Sequence, residues 1–443
     1  MQVRSNRSRL ISTVLSTVAV LSLLGSPRAL AKAAASGNAT VVAASSGGDI
    51  ADELGDQAVA TNPGVGAIES RIGALREQVD RSGAWLDPTF SAEYSNMPID
   101  SLVPGHHPMS GIQLTLRQTL YWPGKIEARK EEAKSRVREE QLTLAEKKVQ
   151  LRALVRRAYY RLALTRQLRS VTQEHLKLVG DFLDVVRVKN EAGIAAQHEF
   201  LRLRVLLEQL KDDLENYDRD ERSLTATINA TLHRSLDVPV LTPEQTKVQA
   251  PVADVHSLTV RVERERPLLK RYQAEASVYR AAARRAAREG YPDITVFAGY
   301  RVRTSAGGDP GTDFVSLGFS VPLPLSYDGR YGTEERQNEK MALAAVKERA
   351  AELDSMRGDL GRVMATWRRS VKEAQTYREQ LTPQARLTLD ATFASYQVGR
   401  ADFASLFQAE LELLDFERTT RMAETSAAEA RVDAEAIVGS GVK

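Results

Sequence analysis

The chain has 443 residues, 42% hydrophobic and 27% charged, with 61 basic against 58 acidic side chains. A formal net charge of +3, with both signs interspersed, carries no electrostatic footprint for nucleic acid. The absence of cysteine excludes disulfides, thiolate metal sites, thiol catalysis and a lipid anchor on an N-terminal cysteine.

Arg4, Arg7 and Arg9 precede an apolar run over 10–24, followed by Pro27 and the small-residue site Ala29-Leu30-Ala31. This pattern predicts an export signal over 1–31. The run is shorter than the roughly 20 residues a membrane-spanning helix needs, which sets it against the alternative of a retained anchor. Residues 32–62 are dominated by Ala, Ser, Gly and Val and read as a flexible leader with too little large apolar surface to hold a core. A helix is expected over 65–83, then strands over 89–95 and 111–121, then a helical hairpin over 125–236 whose arms cover 125–189 and 195–236. Residues 237–253, with three prolines, form a linker. The order then recurs: a helix over 254–288, strands over 293–303 and 313–321, and a hairpin over 333–437 with arms 333–397 and 401–437.

The recurrence is a duplication. Tyr94 and Tyr300, Tyr121 and Tyr327, and Gly193 and Gly399 all stand 206 residues apart, at matching places in the plan. Landmarks in constant order and spacing mark an internal repeat, here 63–236 and 254–443.

All four strands alternate. Ile112, Leu114 and Leu116 oppose Gln113, Thr115 and Arg117, while Val315, Leu317 and Phe319 oppose Ser316, Gly318 and Ser320. Phe297 is apolar on a polar face. One oily and one wet face suits a strand between lipid and a water-filled lumen, and the lengths bracket the 9–11 residues of a tilted membrane strand. Trp85, Tyr121, Trp122, Tyr291, Tyr327 and Tyr331 gather where strands meet helices, as an interfacial girdle would. Lipid demands that every backbone group be paired, and four strands cannot close a membrane barrel, so several chains must pool theirs. The helix over 125–189 reaches about 100 Å at 1.5 Å per residue, and its narrow apolar stripe suits coiled-coil packing. A solvated coiled-coil stalk has the same stripe.

This plan resembles the TolC-like outer-membrane efflux family over nearly all of 63–437. The most telling pieces are the strand-to-helix joints LRQTLYWPGK and DFVSLGFSVPLPL and the hairpin tips NEAGIAAQHEFLRLR and SYQVGRADFASLFQAELELL. WPGK and SVPLPL are most similar to the branch serving heavy-metal-cation pumps. The resemblance implies a mainly α fold with a small β part and a homotrimer whose four strands per chain make a twelve-stranded transmembrane barrel. It also implies a long periplasmic helical barrel. Such a channel is not an enzyme and carries no cofactor. It would be the passive exit duct of a tripartite pump in the outer membrane, for metal cations or small toxic compounds, working with a periplasmic membrane-fusion adaptor and an inner-membrane transporter. The alternatives are a type I protein-secretion duct on the same fold, or a non-channel periplasmic coiled-coil protein.

The resemblance also places a periplasmic gate. Tyr396, three before Gly399, matches the family's tyrosine, and Glu199, six after Gly193, stands where an acid is expected. Arg400 falls one position before the family's arginine. Ser405 and Gln408 occupy the tunnel constriction where the family often has acids, with Asp402 or Glu410 as off-register substitutes. Gly193, Ile194, Gly399 and Arg400 would form the tips that dock the adaptor. His106, His107 and Met109, near Met97 in the first inter-strand loop, have side chains able to bind soft metal, though a polar outward loop explains them as well. His175, His198, His233 and His256 are scattered without ligand spacing, and no phosphate loop or nucleophile elbow is present.

Overall fold

A computed structural model describes residues 47–97, 99, 107–303, 305–306 and 308–442. The export signal and the first part of the leader lie outside the described residues, as does His106. The remainder of the leader is not flexible. Gly47–Thr61 forms helix α1, whose Ala51, Leu54 and Ala58 are buried against Leu151, Val155 and Tyr159. Three apolar residues at helical spacing make a stripe narrow enough to pass for linker composition, yet it seats fully in a groove already built by longer helices.

Helix α2 (Pro63–Ser82) starts where Asn62 caps the Gly64 amide and Pro63 occupies a position needing no N–H. Strands β1 (Thr89–Ser95) and β2 (Gly111–Leu120) follow, then α3 (Lys125–Glu191) and α4 (Gln197–Thr231). At 67 residues, α3 runs for about 100 Å. In the second repeat, the expected single helix over 254–288 is two: α5 (Val255–Glu265) and α6 (Pro267–Glu289). Pro267 forces the break, because it has no amide to donate and drives Arg266 into an extended conformation at φ −61°, ψ 119°. Strands β3 (Ile294–Arg303) and β4 (Phe314–Ser320) lead through a π turn at Asp328–Gly332 into α7 (Thr333–Thr376). A second π turn, Tyr377–Leu381, divides α7 from α8 (Thr382–Gln397), just before Pro383. Helix α9 (Phe403–Val438) closes the chain, capped by Asp402.

The four strands form one antiparallel sheet in the order β1-β2-β3-β4, so both edges, β1 and β4, lack a strand neighbour among the described residues. The register puts Phe90, Leu116, Ala298 and Leu317 in one row, and Ala92, Leu114, Tyr300 and Val315 in the next. This face is apolar and open: Leu317 is 79% exposed, Phe319 73% and Phe90 65%. The opposite face carries Gln113, Thr115, Arg117, Arg301 and Ser316. Phe297 belongs there for a packing reason. Its ring lies over Gly318, where a Cβ would stand 2.5 Å from the Phe297 Cζ atom, so the aromatic covers the bare backbone of its cross-strand neighbour.

The Trp-Pro-Gly joint between β2 and α3 turns on Gly124, at φ +88°, a conformation that strains any residue with a Cβ. Lys125 is then buried, its ammonium 2.8 Å from Asp293, whose carboxylate also accepts from the Trp122 amide at 2.9 Å. Glu289 accepts from Arg129, so the joints of both repeats are tied together by charge. The aromatics pair across the joints: Trp85 with Tyr121, Trp122 stacked on Tyr291 at 5.6 Å, and Tyr327 with Tyr331.

The two hairpin tips have one geometry. Gly193 (φ +73°) and Gly399 (φ +74°) each follow a helix end at which two successive amides return to one carbonyl. Ile194 and Ala195 donate to the Lys189 carbonyl, and Arg400 and Ala401 to the Ser395 carbonyl. No atom lies within 4 Å of a Cβ added at either glycine, so only backbone strain opposes one. Gly193→Ala and Gly399→Ala should therefore each destabilise the fold by about 1–2 kcal/mol, and equally. Thermal unfolding of the two variants in detergent checks this.

Candidate functional site: the hairpin tips and the network behind them

The tip region begins with an apolar plug. Phe182, Val186, Leu203, Leu206, Leu389, Phe403 and Leu406 bury one another where the ends of α3, α4, α8 and α9 converge. Tyr396, on α8 and 5% exposed, reaches through this plug and donates its hydroxyl to Glu199 Oε2 at 3.0 Å. Burial and the Glu199 hydrogen bond push the Tyr396 phenol up to about 12, so it stays a donor throughout the physiological range. Lys189 completes the cluster. Its ammonium lies 4.2 Å from the Tyr396 ring centroid and donates to the Tyr396 carbonyl.

Tyr396 and Glu199, placed at the gate by resemblance, are thus brought together, and across the two hairpins. Arg400 is not. Its side chain is exposed and makes no hydrogen bond or ion pair among the described residues, while its backbone amide closes the turn at Gly399. The cation that contacts Tyr396 is instead Lys189, from the first hairpin. Sequence pattern passed over it because a lysine at a helix end is ordinarily a solvated charge. Ile194 (76% exposed) and Gly399 stand at the tips, uncovered among the described residues.

Ser405 and Gln408 are both exposed, three residues apart on one face of α9. Neither acidic substitute joins them. Asp402 is consumed as the α9 cap, accepting from the Ser405 amide at 2.7 Å, and Glu410 is fully buried on the opposite face. His107 Nδ1 accepts from the Met109 amide at 3.2 Å, which occupies one of its two possible ligating atoms. No group of three His, Cys, Asp or Glu side chains arranged to hold a metal ion occurs among the described residues.

The feature that sequence reasoning missed is behind the plug. His175, set aside as a scattered histidine, is 2% exposed, with Nδ1 2.6 Å from Glu410 and Nε2 3.1 Å from Glu417. Arg386 binds the other side of Glu417. Burial alone would depress the histidine, but its two carboxylate partners outweigh burial and raise it to about 9. Burial likewise pushes Glu417 up, and the hydrogen bonds from His175 and Arg386 more than reverse it. The result is an imidazolium clamped between two acids, linking α3 to α9. Its only sequence trace is an ionisable residue on the apolar stripe of α3, at a position where leucine or alanine would continue the pattern.

Against this geometry the comparisons can be read. The family model "Outer membrane efflux protein" matches residues 54–232. Among solved structures, the chain is similar to the outer-membrane channel OprN at 16% identity and TM-score 0.74, covering 89% of this chain and 90% of that one. The chain has the outer membrane efflux protein fold. CusC, solved in a study of transmembrane channel formation, gives 14% identity and TM-score 0.73 over 89% and 92% of the two chains. The outer membrane protein VceC from Vibrio cholerae gives 17% and 0.71 over 89% and 97%. No sequence match to a curated protein is found. No helix among the described residues is long and apolar enough to cross a membrane.

The His175 clamp sets a pH dependence. A histidine whose pKa is higher folded than unfolded contributes stability that is complete below the unfolded value, near 6.5, and is lost as pH rises through the folded value, about 9. The contribution is on the order of 2–3 kcal/mol. The melting temperature should fall between about pH 7 and pH 9.5, and His175→Gln should flatten that slope. A slope unchanged in the variant would dissociate it from this residue.

Proposed function

We propose that three copies of this chain close a twelve-stranded barrel in the outer membrane and that their helices enclose a periplasmic tunnel. The assembly would serve as the passive exit duct of a tripartite efflux pump. One observation carries this reading: a four-stranded sheet with an apolar, exposed face and two unpaired edges, β1 and β4. Unpaired backbone groups in hydrocarbon cost several kcal/mol each, so a sheet of this kind enters lipid only when β4 of one copy pairs β1 of the next. The stacked aromatics at the joints stand where the barrel would leave the bilayer, and the family model supports the same reading.

In this duct the cargo exits down its gradient after delivery by an inner-membrane transporter, through a periplasmic adaptor that engages the Gly193–Ile194 and Gly399–Arg400 tips. The Tyr396–Glu199 hydrogen bond, reinforced by Lys189, holds the two hairpins together at the closed tip. A shielded hydrogen bond to a charged group contributes about 1.5–3 kcal/mol, so three per trimer keep the tip shut yet yield to a bound partner. The fold is shared with CusC and OprN at nearly equal TM-scores and does not by itself name the cargo.

Two measurements test the proposal. Leu317→Arg on the apolar face should cost roughly 2–4 kcal/mol if it lies near the bilayer midplane and should sharply reduce trimer yield in outer-membrane fractions. Normal trimer yield would sink the lipid-facing assignment. Tyr396→Phe combined with Glu199→Ala should raise single-channel conductance in planar bilayers without loss of trimer, and unchanged conductance would remove this pair from the gate.

A further inference from the structure

The wet face of the sheet carries charge unevenly. Along the sheet, Glu93 lies opposite Gln113 and Gln113 opposite Arg301, whose guanidinium donates to the Gln113 side chain at 2.9 Å, so this row holds one acid and one base. Arg303 is buried and spoken for: it pairs with Asp309 at 2.6 Å and donates to the Pro108 carbonyl. Of the other rows on this face, the one that carries charge runs Thr89, Arg117, Phe297, Gly318. Arg117 is its single charged member, is exposed, and makes no hydrogen bond or ion pair among the described residues. Three residues separate it from the end of β2 at Leu120, or about 10 Å of strand.

We propose that Arg117 sets the charge preference of the channel, forming a three-membered guanidinium ring in the barrel lumen that favours anionic over cationic solutes. This rests on the trimeric barrel proposed above and names the cargo class that the barrel favours. Alternation places Arg117 on the face opposite Leu116, which is 51% exposed on the apolar side, so if the apolar face meets lipid the guanidinium meets water. Three like charges in one ring, inside a water-filled cylinder with low-dielectric walls, focus their field on the permeation path, and rings of arginine or lysine are what anion-passing pores use. At the expected constriction Ser405 and Gln408 are neutral and Glu410 is buried against His175, while Asp402, the α9 cap, keeps its charge at the hairpin tip and not on the sheet where Arg117 stands. The cargo that this barrel passes most readily is small and net negative. A free metal cation meets a barrier instead.

The experiment is the reversal potential of the purified trimer in a planar bilayer under a KCl gradient. Wild type should pass chloride over potassium, with a permeability ratio above unity at about 0.1 M salt, where the Debye length is about 10 Å. The preference should shrink at about 1 M, where that length is about 3 Å. Arg117→Lys should keep the preference, Arg117→Gln should bring the ratio to unity, and Arg117→Glu should invert it. The glutamine variant preserves the test if the glutamate one assembles poorly. Conductance with potassium preferred in the wild type, or a ratio identical in wild type and Arg117→Gln, overturns the inference while leaving the duct intact. Absence of any conductance from an intact trimer overturns the duct and this inference together.

Discussion

In lipid a sheet cannot end. Much of this chain's arrangement can be read from the two strand edges left open among the described residues. In water, an edge strand can be blunted by charge, proline or a covering loop, but β4 offers Val315, Leu317 and Phe319 in seven residues, 71%, 79% and 73% exposed. The shape of the solution is therefore dictated from outside the protomer: either copies share a sheet or the sheet does not enter lipid. The internal duplication makes sharing straightforward. Because β1 corresponds to β3 and β2 to β4, the β2–β3 pairing inside one copy would be repeated if β4 of one copy met β1 of the next, and such head-to-tail contacts can close a ring.

Sharing a sheet requires that the strands be held rigidly to the helices below them. Gly124 supplies the turn, but the turn is fixed by charge. Lys125 from the first repeat meets Asp293 and Glu289 from the second, and Arg129 meets Glu289 again. A buried lysine between two acids stabilises little by itself, because desolvation consumes most of the attraction. Its value here is positional. Removing either partner leaves a buried charge uncompensated, so the register between the two repeats is specified strongly even where net stability is not.

Much of this was legible in the sequence, for identifiable reasons. Period-two alternation and the constant 206-residue offset are legible because an apolar face, a polar face and a duplication each involve many residues at once. Strand limits fall within two residues of expectation, and Tyr396 and Glu199 do touch. What escaped depends on single contacts. Helix α1 rests on three apolar residues in a polar context, the break at Arg266 on one missing amide, and the tip's lysine on a bond to a backbone carbonyl. His175 escaped because its partners Glu410 and Glu417 lie more than two hundred residues away, a pairing no local pattern encodes.

The two hairpins of the duplication are not equal, and the inequality falls on the second hairpin, the one that carries Tyr396. Residues 171–175 of the first repeat run unbroken through α3, whereas their counterparts, Tyr377–Leu381, form a π turn ahead of Pro383. From there the seam between α8 and α9 changes character. Arg378 to Glu424, Thr382 to Thr420 and Arg386 to Glu417 make a polar ladder, and only beyond it does the seam become the apolar plug around Phe403 and Leu406. A π turn opens the helical ladder and recurs at sites where function requires a departure from regular helix. An apolar plug is non-directional and tolerates sliding, while hydrogen-bonded rungs admit one alignment. The second hairpin thus has an anchored polar base, an interruption at that base and a greasy tip fastened by Tyr396 alone among its aromatic residues. The continuous first hairpin has no such interruption. Strain applied at the tips would be taken up in the second hairpin, beyond the ladder, and the bond it would have to break first is the one from Tyr396 to Glu199.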